Sequence, residues 1–332
     1  MTSPVARMLR EHYPNAHIAW VVEPLSAPIV QANPYVDEVI HFPWHTWTRL
    51  RREKRYAEAY REIRTFLRTL QARHFDITID CQGLLKSGLL SWFSHAPQRI
   101  GPAFSREGSH LFTTASSPWP KRPTHLADKY VAMLAPLGIE YAVQRPILEI
   151  PAATHAAARQ LLAEKGLVAG TRYVACCVLS TRPQKDWVWS RWGELADRLW
   201  EREGLRTVLI GGREGQQDAE RLTTQYASKP ISLVGKAALL DSAAVVQGAV
   251  GVVGVDTGLT YAGMPIDLPT VALYGSTDAT WLTEEPHTVI CLHKMDCSPC
   301  NRHPSCANFD CMRAITVEEV AQALCARLGA TL

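Results

Sequence analysis

The chain has 332 residues, 47% of them apolar and 20% charged, and a formal net charge of +3. That length exceeds what one hydrophobic core usually organises, so two domains are expected, and the near-neutral charge argues against a surface built throughout for nucleic acid. No apolar run is long enough to span a bilayer and the opening MTSPVARMLREHYPN lacks the apolar stretch of a signal peptide, which predicts a cytoplasmic protein.

In chain order, Pro4–Tyr13 carries Val5, Met8 and Leu9 at helical spacing, and HIAWVV at 17–22 then reads as a buried strand. A strand is expected near Val36–Phe42, a long charged helix over Glu53–Arg73 and a strand at Phe75–Asp80. LLKSGLLSWFS (helix), QRIG (strand) and HLADKYVAMLAPLGI at 125–139 (helix) continue the alternation. Strict alternation of strand and helix is the pattern of a parallel sheet covered on both faces.

The proline-flanked stretch 144–151 interrupts this rhythm and reads as a linker, dividing the chain into domains 1–146 and 151–332. The second series opens with a helix near Ala153–Lys165. RYVACCVLS, LRTVLIGG, ISLVG, VGVVGVD and PTVALYG follow as strands with helices between them. A short helix is expected after Asp256, an irregular cysteine-rich loop after PTVALYG, and a closing helix at TVEEVAQALCARL. The expected fold is therefore α/β, two Rossmann-like doubly wound parallel-sheet domains facing a central cleft, with functional residues in the loops after strands.

Three such loops stand out. Ser180–Trp187 offers Ser180, Thr181, Arg182 and Lys185 ahead of a helix; these suit a diphosphate, although a solvated, helix-capping loop has the same composition. Gly211-Gly212-Arg213-Glu214-Gly215 lets the backbone approach a ligand closely, or simply makes a tight turn. Asp256-Thr257-Gly258 closes an apolar strand, where an aspartate can accept from sugar or ribose hydroxyls or cap the next helix. Tyr274-Gly275-Ser276-Thr277-Asp278 ends a further strand with small polar groups.

Nine cysteines are present, and Cys297, Cys300, Cys306 and Cys311 crowd around His303. The spacing resembles a zinc site, but the second pair is C-x4-C, and a buried thiol cluster or a local disulfide is the favoured reading. Cys176, Cys177 and Cys81 read as core.

GVDTGLTYAGMPIDLPTVALYGSTD, the Ser180–Trp187 loop and CSPCNRHPSCANFDCMRAITVEEV together resemble the ADP-heptose:lipopolysaccharide heptosyltransferases, glycosyltransferase family 9, of the GT-B fold. WVVEP, DCQGLLKSGLL and HLADKYVAMLAPLGI match the family pattern too, so the resemblance runs nearly end to end. It implies inverting transfer of heptose from ADP-heptose to the inner core of lipopolysaccharide, with no cofactor and no metal; the family's similar cysteines do not define a zinc site. By position it implies that Ser180, Thr181 and Lys185 hold the diphosphate and that Asp256, Thr257 and Gly258 meet the donor's phosphate and sugar. Glu214 is similar to the family's acidic contact to the ribose.

Two departures carry consequences. Tyr261 stands where the family usually has a histidine, which leaves open a GT-B enzyme using another nucleotide sugar. Family members also open with a strand and a Gly-Asp loop whose aspartate resembles a catalytic base, and no counterpart follows Met1. The resemblance thus implies an N-terminally truncated chain whose sheet has lost its middle strand, or, taken literally, a non-catalytic protein binding nucleotide sugar or lipopolysaccharide.

Between Trp44 and Arg73 lie nine Lys and Arg residues, Arg55 and Arg61 among them. They suit an anionic, lipid-linked acceptor and peripheral contact with the inner membrane, or a solvated helix paired with Glu53, Glu58 and Glu62. Lys86, just after a strand, is the best single candidate for acceptor binding.

Overall fold

The computed structural model describes residues 2–103, 105, 107–117, 127–140, 145–279, 287–301 and 303–329. The chain divides into two compact units, Met1–Ile147 and Leu148–Leu332. Residues 145–150 have no regular structure, and Gln144, at the start of the expected linker, lies outside the described residues.

The first unit contains five strands, β1 (Ala19–Val22), β2 (Glu38–His41), β3 (Ile77–Ile79), β4 (Gln98–Pro102) and β5 (Ala115–Ser117). All pairings are parallel. β1 and β2 make one sheet and β3, β4 and β5 a second, in that order, so β1 and β3 each have one hydrogen-bonded neighbour strand among the described residues. The helix Ser3–His12 buries Val5 and Met8 against Val131, Leu134 and Ile139, as its apolar spacing requires.

Two elements differ from expectation for identifiable reasons. The long charged helix is present at Tyr56–Gln71, and a second helix not read from the sequence, Trp44–Arg52, precedes it, the two separated at Lys54, whose φ of +59° lies in the left-handed region. The break lets Trp47 turn onto Phe42 and Phe66, with ring centroids 5.2 and 5.4 Å away. The helix expected over 125–139 is α-helical only at Asp128–Val131 and tightens to a 3-10 helix at Ala132–Leu137, which contains Pro136. Its first two residues, 125 and 126, lie outside the described residues.

The second unit is a six-stranded parallel sheet of β6 (Tyr173–Cys177), β7 (Arg206–Ile210), β8 (Ile231–Ser232), β9 (Gly251–Val255), β10 (Thr270–Tyr274) and β11 (Thr288–Leu292). Its order is β11-β10-β9-β6-β7-β8. This is Rossmann topology, and the chain reverses its direction of travel across the sheet between β6 and β9. β6, β9 and β10 are buried at every residue, as expected for central strands covered by helices on both faces. β5 and β11 were not among the strands read from the sequence.

Gly254 in β9 pairs with Cys177 of β6, and the turn after β9 folds back over it. Thr260 Oγ1 packs on the Gly254 Cα and donates to the Val255 carbonyl at 2.6 Å. A Cβ at residue 254 would collide with Thr260 Oγ1 and come within 2.8 Å of the Cys177 Cβ. Gly254→Ala should therefore destabilise the chain by about 1–3 kcal/mol through overpacking. Urea unfolding of the two proteins checks this, and an unchanged midpoint would show that the turn yields freely.

Candidate functional site

Ligands of open α/β sheets bind beyond the carboxyl ends of the strands, at the point where the strand order reverses. In the second unit that point is flanked by the loops after β6 and β9. The loop Ser180–Trp187 is fixed at both ends. Ser180 N–H donates to Asp186 Oδ1 at 2.8 Å, the Ser180 hydroxyl bonds the Arg182 backbone, and buried Trp187 donates its indole N–H to the Ile315 carbonyl at 3.1 Å. Between these anchors a single 3-10 turn, Pro183–Lys185, lifts Lys185 toward β9.

Lys185 Nζ donates to Asp256 Oδ2 at 2.5 Å and approaches the Asp256 carbonyl at 3.4 Å. The same Oδ2 accepts from Thr277 Oγ1 at 2.8 Å. Oδ1 accepts from the hydroxyls of Tyr274 at 3.1 Å and Tyr261 at 3.4 Å, which lie 2.5 Å from each other. Burial, together with the neighbouring Asp256 charge, pushes both phenols well above their ordinary pKa, so they stay neutral donors. Two cues in the sequence, an aspartate ending a buried strand and a lysine in the preceding loop, thus meet at one carboxylate.

The other sequence candidates are placed less directly. Thr257 precedes the 3-10 turn Gly258–Tyr261, and Gly258 is exposed with open space around its Cα. Thr181 is exposed on the β6 loop. Glu214 is exposed after β7, with its carboxylate over Gly212, and its charge acts on Asp186. Asp186 is held by burial at a raised pKa of about 6; its bonds from Ser180 and the Lys185 charge oppose that rise, and Glu214 adds to it. Tyr261, a donor-binding candidate at the family's histidine position, is buried, with its hydroxyl turned onto Tyr274 and Asp256.

Tyr274 and Thr277 were named from the sequence only as part of a polar strand end, with no role assigned to either. A tyrosine ending an apolar strand reads as core, and only the polar run YGSTD after β10 hinted at more.

Cys297, Cys300, Cys306 and Cys311 are free thiols, so the local disulfide considered from the sequence is not formed. Among the described residues no three potential ligands are grouped as a metal site. Their loop bridges the site's supports: Asn301 N–H donates to the Ser276 carbonyl at 2.6 Å, Gln184 Nε2 donates to the Asn301 carbonyl at 2.9 Å, and Ser298 Oγ donates to the Gly275 carbonyl. The loop after β6 is thereby tied to the loop after β10.

In the first unit, Arg55 pairs with Glu58 and Glu53 on an exposed surface, and Arg61 is exposed further along the same helix. Arg55 is thus engaged in the helix-surface pairing that its sequence neighbours allow. Lys86 differs: it lies at the start of the helix Leu85–Phe93, paired with Glu23 at 2.7 Å.

A family model described as Glycosyltransferase family 9 (heptosyltransferase) matches residues 63–308. Lipopolysaccharide heptosyltransferase 1 of Escherichia coli K12 is 28% identical over 284 residues, which cover 83% of this chain and 84% of that protein. The glycosyltransferase family 9 structure from Veillonella parvula aligns with a TM-score of 0.78 at 24% identity, over 98% of this chain and 92% of its own. E. coli heptosyltransferase WaaC with ADP-2-deoxy-2-fluoro heptose aligns with a TM-score of 0.71 at 25% identity, over 97% of this chain and 95% of its own. The parallel α/β units therefore have their counterpart in enzymes of the GT-B fold, and the chain is a glycosyltransferase that belongs to glycosyltransferase family 9, the heptosyltransferases.

Proposed function

We propose that the chain transfers heptose from ADP-heptose to the inner core of lipopolysaccharide, with inversion at the anomeric carbon. The observation that carries this reading is Lys185 held by Asp256 at the switch point of the second unit. In an in-line displacement an acceptor hydroxyl forms a bond to the anomeric carbon as the bond to the diphosphate oxygen breaks, and the hydroxyl proton passes to a general base. Negative charge grows on the departing diphosphate, and a cation already fixed beside it stabilises that charge without reorganising.

Lys185 supplies the cation, Ser180 and Thr181 contribute hydroxyls, and the turn opened by Thr257 and Gly258 contributes backbone N–H groups. Glu214 accepts from the ribose. Tyr261 and Tyr274 act through Asp256, keeping its Oδ1 occupied so that Oδ2 faces Lys185 and Thr277. The WaaC relative, solved with an ADP-heptose analogue, supports the choice of donor.

Lys86 is our choice for contact with the acceptor. The exposed Arg49, Arg51, Arg52 and Arg61 with exposed Tyr56 and Tyr60 suit peripheral contact with an anionic inner-membrane face and a cytoplasmic location. Among the described residues no helix is long and apolar enough to cross a membrane.

Release of ADP from ADP-heptose in the presence of deep-rough lipopolysaccharide tests the proposal; release only from another nucleotide sugar would redirect it. Lys185→Ala should lower kcat/KM by about 100- to 1000-fold, the usual effect of removing one preorganised donor from a developing anion. Asp256→Asn should lower it roughly tenfold to a hundredfold, and the double variant should fall well short of the product of the two losses. Fully multiplicative effects would mean that the two side chains work separately.

Asp186 gives a pH signature. Its folded pKa of about 6 lies above the ordinary 3.8, so the group favours folding at low pH. That contribution is complete below the unfolded value and is lost as pH rises through the folded one. Wild type should therefore lose stability relative to Asp186→Asn between about pH 4 and 7. Thermal midpoints across that range decide it, since parallel curves would leave no role for burial of Asp186.

A further inference from the structure

A second group of polar side chains gathers at strand ends in the first unit. Glu23 follows β1, Phe42, Trp44 and His45 follow β2, and Lys86 comes from the segment after β3. Lys86 Nζ donates to Glu23 Oε1 at 2.7 Å, and His45 Nε2 lies 3.0 Å from Glu23 Oε2. The ammonium stands 5.2 Å from the Trp44 ring centroid and 5.8 Å from that of Phe42.

The pair is not sealed into the core. The Lys86 and Glu23 side chains keep 19% and 28% of their exposure, and His45 keeps 80%. An ammonium offers three N–H donors and a carboxylate about four acceptor positions. The contacts among the described residues use one of those donors and two of those acceptors.

A free donor beside a free acceptor matches two adjacent sugar hydroxyls, one donating to the carboxylate while its neighbour accepts from the ammonium. The indole of Trp44 offers an apolar surface for the C–H face of a sugar ring. Phosphate or an isolated carboxylate fits worse, because Glu23 holds negative charge where such a ligand would sit.

We propose that Glu23, Lys86, Trp44 and His45 form a subsite for a pyranose ring of the acceptor, bound through two adjacent hydroxyls and laid against Trp44. The assignment rests on the proposed function insofar as that supplies an oligosaccharide acceptor. Its physical content, a carbohydrate site in the first unit, can be measured without turnover.

The test is calorimetric titration of the whole chain with deacylated deep-rough lipopolysaccharide oligosaccharide and, separately, with ADP. Glu23→Gln should weaken oligosaccharide binding about tenfold or more, the scale of a lost charge-assisted hydrogen bond, Trp44→Ala should weaken it similarly by removing the apolar stacking surface, and both should leave ADP affinity unchanged. His45→Ala removes a side chain that is largely in solvent and cannot disturb the core; it should weaken the oligosaccharide severalfold.

Oligosaccharide affinities equal to wild type in all three variants, with ADP still bound, would overturn the subsite and leave the donor reading standing. Tighter oligosaccharide binding by Glu23→Gln would overturn the diol assignment in favour of an acidic ligand. Failure of wild type to bind the oligosaccharide at all would also overturn the subsite. Absence of ADP release by wild type, with oligosaccharide binding intact and lost in Trp44→Ala, would overturn the transferase reading and uphold the carbohydrate site.

Discussion

The carboxylate of Asp256 organises the donor loops. Lys185 comes from the β6 loop, Tyr261 from the turn after β9, and Tyr274 and Thr277 from the end of β10 and beyond, and all four converge on its two oxygens, the two phenols also sharing a hydrogen bond. Each donor is anchored by an acceptor it shares with the others, so the three segments hold one another in place. The Lys185 and Asp256 side chains keep only 16% and 20% of their exposure. Removing either partner of such a pair leaves a poorly hydrated charge, so the loops depend on both.

That hub sits where it does because of the strands beneath it. β9 is apolar from Gly251 to Val255, and Asp256 is the first polar side chain after it. The strand order makes β6 and β9 neighbours, so the residue after one strand faces the loop after the other. Gly254 allows the following turn to fold close over the strand, which returns Tyr261 to Asp256. The neutral phenols matter as well: they hold Oδ1 without competing with Lys185 as cations, so the ammonium is the positive charge on this carboxylate among the described contacts.

The sheet of the second unit was legible because fully buried strands read as unbroken apolar runs, and RYVACCVLS, VGVVGVD and PTVALYG are such runs. β11 was not, since TVICL at 288–292 follows histidine and proline and looks like loop. The helix expected over Glu53–Arg73 is there as Tyr56–Gln71, but the helix Trp44–Arg52 before it was missed, and the left-handed Lys54 that separates the two leaves no mark on periodicity. Lys185 and Asp256 were legible as loop residues after strands, but their direct bond was not. Pairing across 71 positions is fixed by strand order, which no local pattern encodes. Tyr274 was hidden for the opposite reason, since its ring packs as core while its hydroxyl serves the site.

Charge alone did not locate function in the first unit. The conspicuous feature was the run of arginines, yet Arg55 is taken up by neighbouring glutamates on an exposed helix, where such pairs contribute little. Lys86, a single cation at the start of a helix, is set between a carboxylate that follows β1 and two aromatic rings. Lys185 shares that arrangement within its own unit: a lysine from the segment after one parallel strand, held by a carboxylate that closes a different one. Ordering a lysine side chain costs up to about 2 kcal/mol of rotamer freedom, and in both cases the carboxylate has met that cost during folding. A ligand reaching either lysine then finds a donor already aimed, and retains for its own affinity what a mobile side chain would have taken from it.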